Sequence, residues 1–323
     1  MHGVLVVDKK AGVSSAQALN PIKRLVGRGV RVGHAGTLDP FATGTLLVML
    51  GDATRLVPLV QRIPKLYHAK LVFGIQTDTL DPEGAVVARE DPGPYRPMEL
   101  QNALSGFRGV IQQVPPSYSA LKIEGKRAYK YARAGKEVEL KGRPVHVMHL
   151  GVAQIRWPHV DLHISCGSGT YIRSLARDLG QELGVPAMLQ ELRRVRIGPF
   201  DASRGLEIQR GRDMRCGVES LGEMLREPRE LVKASAIEEI ELGSVEARRF
   251  VMGQRLRLPL DMQDPVEEDP VSVVFQEKPG KLRMLGLGRW REANVLAPYK
   301  VFSAACTDLL EMGGDDPSAV DGP

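Results

Sequence analysis

The chain opens on the apolar run Val4 to Val7, which predicts a strand. Ser14-Ser15 then offers a helix N-cap ahead of Ala18, Leu19, Ile22, Leu25 and Val26 at helical spacing. Pro21 falls inside that pattern and predicts a kinked or shortened helix. Tyr67, Ala69, Leu71 and Phe73 alternate with His68, Lys70 and Val72, a strand that Gly74 ends. Leu100, Leu104 and Phe107 mark a short helix. Val160, Leu162 and Ile164 alternate with Asp161, His163 and Ser165, so a strand runs into the turn Cys166-Gly167-Ser168-Gly169. Thr170 to Gly184 follows as the clearest helix, with Ile172, Leu175, Ala176, Leu179 and Leu183 on one face and Gly184 as its stop. Tyr171 and Arg173 fall in its first turn, at a strand-to-helix corner that presents side chains to ligands.

From about Lys233 the pattern changes to short β-like runs, Arg255 to Leu258, Val271 to Phe275 and Leu282 to Leu287, separated by proline, glycine and acidic clusters. That predicts a small β-rich second domain. Residues 303–323 are acidic and rich in Gly, Asp and Pro, and a disordered tail is expected there. A length of 323 residues suits two domains and a tail at roughly 100 to 200 residues per domain. No apolar run approaches the roughly 18 residues of a membrane span, and Met1-His2-Gly3-Val4 has neither a basic leader nor a signal-like stretch. A soluble cytoplasmic protein is expected. Cys166, Cys216 and Cys306 lie far apart without C-x-x-C spacing, which argues against a disulfide framework or a cysteine zinc site.

The formal net charge is +5. Asp308, Glu311, Asp315, Asp316 and Asp321 stand in the last 21 residues with no Lys or Arg, so the preceding chain is five charges more positive than the whole. Such a balance is compatible with a polyanionic partner, because Lys and Arg on phosphates release counterions.

Candidate chemistry changes this picture unevenly. His146/His149 and His159/His163 have helical metal-ligand spacings but lie in β-like alternation, where three-residue spacing puts His146 and His149 on opposite faces, so no metal site is expected. Gly27-x-Gly29, Gly167-x-Gly169 and Gly286-x-Gly288 have no phosphate-loop context, which leaves no nucleotide cofactor to expect. Lys122 to Arg143 holds Lys122, Lys126, Arg127, Lys130, Arg133, Lys136, Lys141 and Arg143 against three Glu, with Tyr129 and Tyr131 interleaved. This composition suits an RNA backbone, although charge runs of this kind are more often solvated faces. Asp39 lies in Gly33-His34-Ala35-Gly36-Thr37-Leu38-Asp39-Pro40-Phe41-Ala42-Thr43-Gly44, where three glycines and a proline shape a tight loop around one His and one Asp. A carboxylate there can act as nucleophile or general base, kept ionised and oriented by an arginine.

The run GHAGTLDPFATGTL resembles the catalytic motif of the TruB family of tRNA pseudouridine-55 synthases. Six further blocks resemble the family in order: VLVVDKKAGVSS; Lys65 to Ala69; Gln76 to Asp81; Gln113 to Lys122, leading into a tRNA-gripping insertion; Cys166 to Leu175; and Leu192 to Gly198. The resemblance implies an α+β pseudouridine synthase fold, a mixed and largely antiparallel sheet flanked by helices, with a small C-terminal PUA-like β-barrel. The implied domains are a catalytic domain at 1–232, carrying the insertion at about 118–145, a PUA-like domain at 233–302, and the tail at 303–323.

The roles implied by the resemblance are as follows. Asp39 matches the essential aspartate, Tyr67 the tyrosine that stacks on the flipped uracil and takes a proton from C5, and Arg173 the arginine paired with the aspartate. His34 matches the histidine that fills the space vacated by the flipped nucleotide. Asp81, Tyr171 and Leu192 match pocket residues, and Gly33, Lys122, Lys126, Arg127 and Lys130 belong to the RNA-binding set. The implied partner is the T arm of tRNA, bound by a monomer without metal or cofactor. Lys10 and Leu47 stand where the family commonly has proline, which bears on loop geometry and not on a catalytic role. An RNA chaperone that folds tRNA without modifying it is the rival function. Asp39, Tyr67 and Arg173 speak against it, since binding alone does not need an acid in a glycine-rich loop.

Overall fold

The computed structural model describes residues 1–119, 121–123, 126–127, 131, 140–208, 217–258, 269–292, 294–303 and 309. Its first strands are β1 (Gly3–Lys9), β2 (Val32–Ala35), β3 (Thr43–Leu50) and β4 (Lys65–Phe73). A small hairpin follows, β5 (Ile75–Thr77) with β6 (Val86–Arg89), then β7 (Gly109–Gln113) and the pair β8 (Lys122–Ile123) and β9 (Lys126–Arg127). Next come β10 (Arg143–Arg156), β11 (His159–Cys166), β12 (Ala187–Ile197), β13 (Phe200–Asp201) and β14 (Leu206–Ile208). The larger sheet runs β14-β1-β3-β12-β4-β11-β10-β7, with β2 on β3 and β13 on β12. Only β1/β14 and β3/β12 are parallel among its described pairs, so the expected mixed, largely antiparallel sheet is what forms.

Period-two alternation explains how β3 can be buried on both faces. Leu46, Val48 and Leu50 point into a core with Leu5, Val7, Leu19 and Ile22, which the helix Leu19–Val26 covers. Leu47 and Met49 point the other way, into a core with Leu56, Leu59 and Val60 of the 3-10 segment Gly51–Arg62. On β4 the predicted face Tyr67, Ala69, Leu71 and Phe73 packs on Ile172, Leu175, Ala176 and Leu179 of the helix Ile172–Glu182.

Three local expectations shift. The first helix starts at Leu19, with no side-chain cap from the residue before it. Ser14 instead exchanges two hydrogen bonds with Gln17 in the preceding turn, at 3.0 and 3.2 Å, and Pro21 sits in the first helical turn, where its missing N–H costs nothing. The predicted tight loop 33–44 narrows to residues 36–42, because its ends are taken into β2 and β3. His146 and His149 are both exposed and not on opposite faces, since a register shift between Val147 and His149 adds a residue to β10 there.

The second sheet is built from β15 (Glu239–Leu242), β16 (Leu256–Arg257), β17 (Pro270–Lys278), β18 (Lys281–Glu292) and β19 (Val295–Val301), in the order β15-β17-β18-β19-β16. The expected β-rich segment is therefore present, while no pairing among the described residues closes it into a barrel. Its inner face shares the core of Leu47 and Met49: Ile240, Val273, Leu285, Trp290, Leu296 and Phe302 join that cluster. Arg55 donates to the Val301 carbonyl, and Lys300 Nζ donates to the Arg55 carbonyl at 3.0 Å across the same seam. Of the expected tail, Ser303 and Leu309 are described, and Leu309 is buried in this core.

One glycine is required by the pairing of β3 with β12. Gly44 has φ +103°, and a Cβ there would lie 2.2 Å from the Arg194 carbonyl oxygen. Gly44→Ala is expected to cost about 3 kcal/mol through backbone strain and overpacking, read as a lower urea midpoint at unchanged m. An unchanged midpoint would show that β3 and β12 do not need this close approach.

Candidate functional site

The loop that carries Asp39 is tied down from several sides before Asp39 itself makes a contact. Leu38 N–H donates to Ser15 Oγ at 2.8 Å, and the Ser15 hydroxyl donates back to the Leu38 carbonyl at 2.9 Å. Lys9, at the end of β1, is fully buried and donates from Nζ to the carbonyls of Val13 at 2.7 Å, Pro40 at 3.2 Å and Lys10 at 3.2 Å. Burial pulls the Lys9 ammonium down to about 8, against the attraction of Asp39. Arg194 of β12 donates from Nη2 to the Gly36 carbonyl at 2.8 Å and from Nε to the Thr45 carbonyl at 2.7 Å, gripping the loop at both ends.

Arg173, the second residue of the helix Ile172–Glu182, is 5% exposed along its side chain and collects three chain segments. Nε lies 2.9 Å from Asp39 Oδ2, Nη1 lies 3.0 Å from Asp81 Oδ2 and donates to the Thr79 carbonyl at 2.8 Å, and Nη2 donates to the Tyr118 carbonyl at 2.9 Å. The Asp39 contact is an ion pair without hydrogen-bond alignment at Nε. The expected pairing of Arg173 with Asp39 is thus present, but the guanidinium fork grips Asp81, Thr79 and Tyr118. Asp81 is buried and its Oδ1 accepts from Thr79 Oγ1 at 2.6 Å and from Glu83 N–H at 3.0 Å. Asp39 keeps 34% of its side chain exposed, as a group that meets a ligand must. Its carboxyl is pushed above the usual range by burial; Arg173 opposes this shift and the Asp81 charge adds to it.

Tyr67 lies on β4 opposite Arg194 of β12, and both side chains are buried. Burial raises its phenol, and the charge of the Arg194 guanidinium draws it back down. Leu192 packs in one apolar cluster with Tyr67, Leu38 and Ala42, forming a greasy shelf beside the acid. Tyr171 precedes the helix: its N–H donates to Gln113 Oε1 at 2.8 Å, Gln113 Nε2 donates to its carbonyl at 3.1 Å, and the Arg143 guanidinium lies 5.2 Å from its ring centroid. Gly33 and His34 are half-buried on β2, leading into the Asp39 loop and not within it. Lys122, Lys126 and Arg127 fall on β8 and β9, while Lys130 and most of the basic stretch lie outside the described residues.

Lys9, Gln113 and Arg194 were not singled out from sequence. A signal existed for Arg194, since residue 194 shares a strand face with Leu192. Among the described residues no His, Cys, Asp and Glu cluster has the arrangement of a metal site, and no helix is long and apolar enough to cross a membrane. The site thus offers a semi-exposed carboxylate ion-paired with a buried arginine, beside a buried phenol and an apolar shelf, an arrangement for attack or proton transfer on a flat ring.

Residues 23–172 match the model of the TruB family pseudouridylate synthase N-terminal domain, and residues 173–226 that of the tRNA pseudouridylate synthase B C-terminal domain. The chain is similar to tRNA pseudouridine synthase B of Azoarcus sp. (strain BH72), 38% identical over 295 residues, which cover 91% of this chain and 93% of that one. It is 35% identical over 289 residues to tRNA pseudouridine synthase B of Clostridium tetani (strain Massachusetts / E88), covering 90% and 96%. In structure it resembles a chain of a Cbf5-Nop10-Gar1 complex, with a TM-score of 0.67 at 22% identity over 93% of this chain and 84% of that chain, a likeness of fold.

Two measurements check the electrostatics. Asp81→Asn removes a negative neighbour, so the Asp39 pKa is expected to fall, observable by carboxyl-carbon NMR titration; an upward shift would mean that the two carboxylates do not share Arg173. Arg173→Lys keeps the charge but leaves buried acceptors unfilled, and is expected to cost about 1 to 3 kcal/mol in urea denaturation.

Proposed function

The chain belongs to the TruB family of pseudouridylate synthases, and on that premise we propose that it isomerises uridine to pseudouridine at position 55 in the T loop of tRNA. The observation that carries the assignment to particular residues is the Asp39–Arg173–Asp81 ion network beside Tyr67 and Leu192. The enzyme binds the T arm and flips the target uridine out of the loop, a cost of a few kcal/mol that stacking on Tyr67 and Leu192 offsets. Asp39 then acts on the sugar, as nucleophile or as base, while the bond from C1' to N1 breaks. The freed base turns within the pocket and rejoins C1' through C5. A proton leaves C5, taken by Tyr67, and N1 gains one. No electrons are exchanged with another molecule, so the chemistry calls for neither metal nor nucleotide.

Gly33 and His34 face the RNA beside the vacated position, Asp81 and Tyr171 line the pocket, and Lys122, Lys126, Arg127 and Lys130 hold the backbone of the T arm. Residues 1–232 form the catalytic domain, with the insertion at about 118–145. Residues 233–302 act as a PUA-like RNA-binding domain, and 303–323 as an acidic tail. The enzyme works as a cytoplasmic monomer.

Asp39→Asn tests the assignment. Pseudouridine formation on unmodified tRNA, followed by mass spectrometry, is expected to vanish with tRNA binding retained. The fold is expected to hold or gain stability: a carboxyl whose pKa is raised in the folded state costs stability once pH exceeds that pKa, and the amide carries no such cost. Wild-type turnover by this variant, checked for deamidation, would remove Asp39 from the mechanism. Tyr67→Phe keeps the ring, so binding persists while product collapses; a normal rate would leave Tyr67 with stacking alone.

A further inference from the structure

Arg194 is 2% exposed and is fixed by two neutral carbonyls, Thr45 O and Gly36 O. Among the described residues no ion pair includes it, so its charge stays unneutralised in a low-dielectric setting. Such an arrangement is expensive for the fold even with both carbonyls satisfied. Tyr67 is its register partner across β12 and β4, so the two buried side chains stand side by side on one face of the sheet. A guanidinium carries donors only. An N–H turned to Tyr67 can therefore only give to the phenol oxygen, which leaves the other lone pair and the phenol's own O–H for the pocket.

We propose that Arg194 is the positioning residue of the proton-transfer step, fixing Tyr67 Oη against the Asp39 loop on one rigid fork and stabilising negative charge on that oxygen. The proposal rests on the isomerase function above. In the step, the phenol first passes its own proton through water to N1; the phenolate oxygen then takes the C5 proton, and the C5–H electron pair enters the ring as the C5–C6 double bond, so the tyrosine ends as it began. Arg194 holds the oxygen through both transfers, because a guanidinium carries donors only and takes up no proton. One fork also links the two reacting groups mechanically: a shift of Gly36 moves the Asp39 loop and the guanidinium together.

The test uses the full chain and unmodified tRNA carrying hydrogen or deuterium at C5 of the target uridine, in single-turnover assays. Arg194→Met is expected to slow product formation on the order of 10²-fold with tRNA affinity near wild type, and to raise the C5 deuterium isotope effect above the wild-type value. Arg194→Lys, which keeps a charge and one donor direction, should recover part of the rate and most of the stability. A merely structural residue would lower the folded fraction and leave the isotope effect unmoved. An unchanged isotope effect in Arg194→Lys, or a normal rate in either variant, overturns the proposal while an active wild type keeps the isomerase assignment standing. A wild type that forms no pseudouridine sinks the isomerase assignment itself. If Arg194→Met does not fold, Arg194→Lys alone decides, since its isotope effect either rises or does not.

Discussion

A buried guanidinium must be surrounded by acceptors or it drives the chain apart, and Arg173 imposes that demand on the whole pocket. Its counter-charges come from Asp39 and from Asp81 after β5, and its acceptors from Thr79 beside Asp81 and from Tyr118 after β7. No two of these segments are neighbours in sequence. They meet because one cation at the start of the helix Ile172–Glu182 requires all of them. The helix is in turn pinned by Gln113, which exchanges two hydrogen bonds with the backbone of Tyr171, so the cation cannot drift to relieve a missing partner. The sheet supplies the platform, and Arg173 decides which loops stand on it.

Burial shifts three ionisable groups of the pocket away from their charged forms. It lowers the Lys9 ammonium and raises both the Asp39 carboxyl and the Tyr67 phenol. The Lys9 and Asp39 shifts are losses of stability at neutral pH, where both groups are charged, while the Tyr67 shift costs nothing until pH nears the phenol range; the first two mark a place where the fold is not optimised for itself. The cations Lys9, Arg173 and Arg194 surround the acid and the phenol. Arg173 is matched by carboxylates and Arg194 by carbonyls. The first arrangement steadies a charge that is always present, and the second is suited to one that grows during reaction.

The strands and the main helix were legible because alternation and helical spacing follow directly from which faces are buried. Val160 to Ile164 and Ile172 to Leu183 show this plainly, and Asp39 was legible because glycines around a lone acid mark a shaped loop. Lys9 was not, since a buried cation satisfied by backbone carbonyls leaves no partner residue to find in sequence, and Arg194 left only its place on the strand face of Leu192. The start of the first helix was missed because Ser14 found a closer partner in Gln17 than a helical N–H. The faces of His146 and His149 were missed because a register shift obeys the pairing with β11 and β7, which a single strand's sequence does not display.

The β-rich C-terminal segment could be read as a separate unit, but its packing could not. A strand pattern states which residues are buried without saying against what. Leu47 and Met49 are buried, and their partners include the inner face of the second sheet, through Ile240, Val273 and Leu285. The same strand begins at Thr43 and Gly44, next to the Asp39 loop, and its carbonyl at Thr45 holds Arg194. Strand β3 therefore ties the two sheets together at one end and sets the pocket at the other. A change in how the second sheet packs on Leu47 and Met49 would move β3 along its length, and the pocket tolerates little such movement because Gly44 leaves no space against the Arg194 backbone. The two sheets are in this sense one mechanical object, with the proposed RNA-modifying site placed where its least adjustable strand meets its most demanding cations.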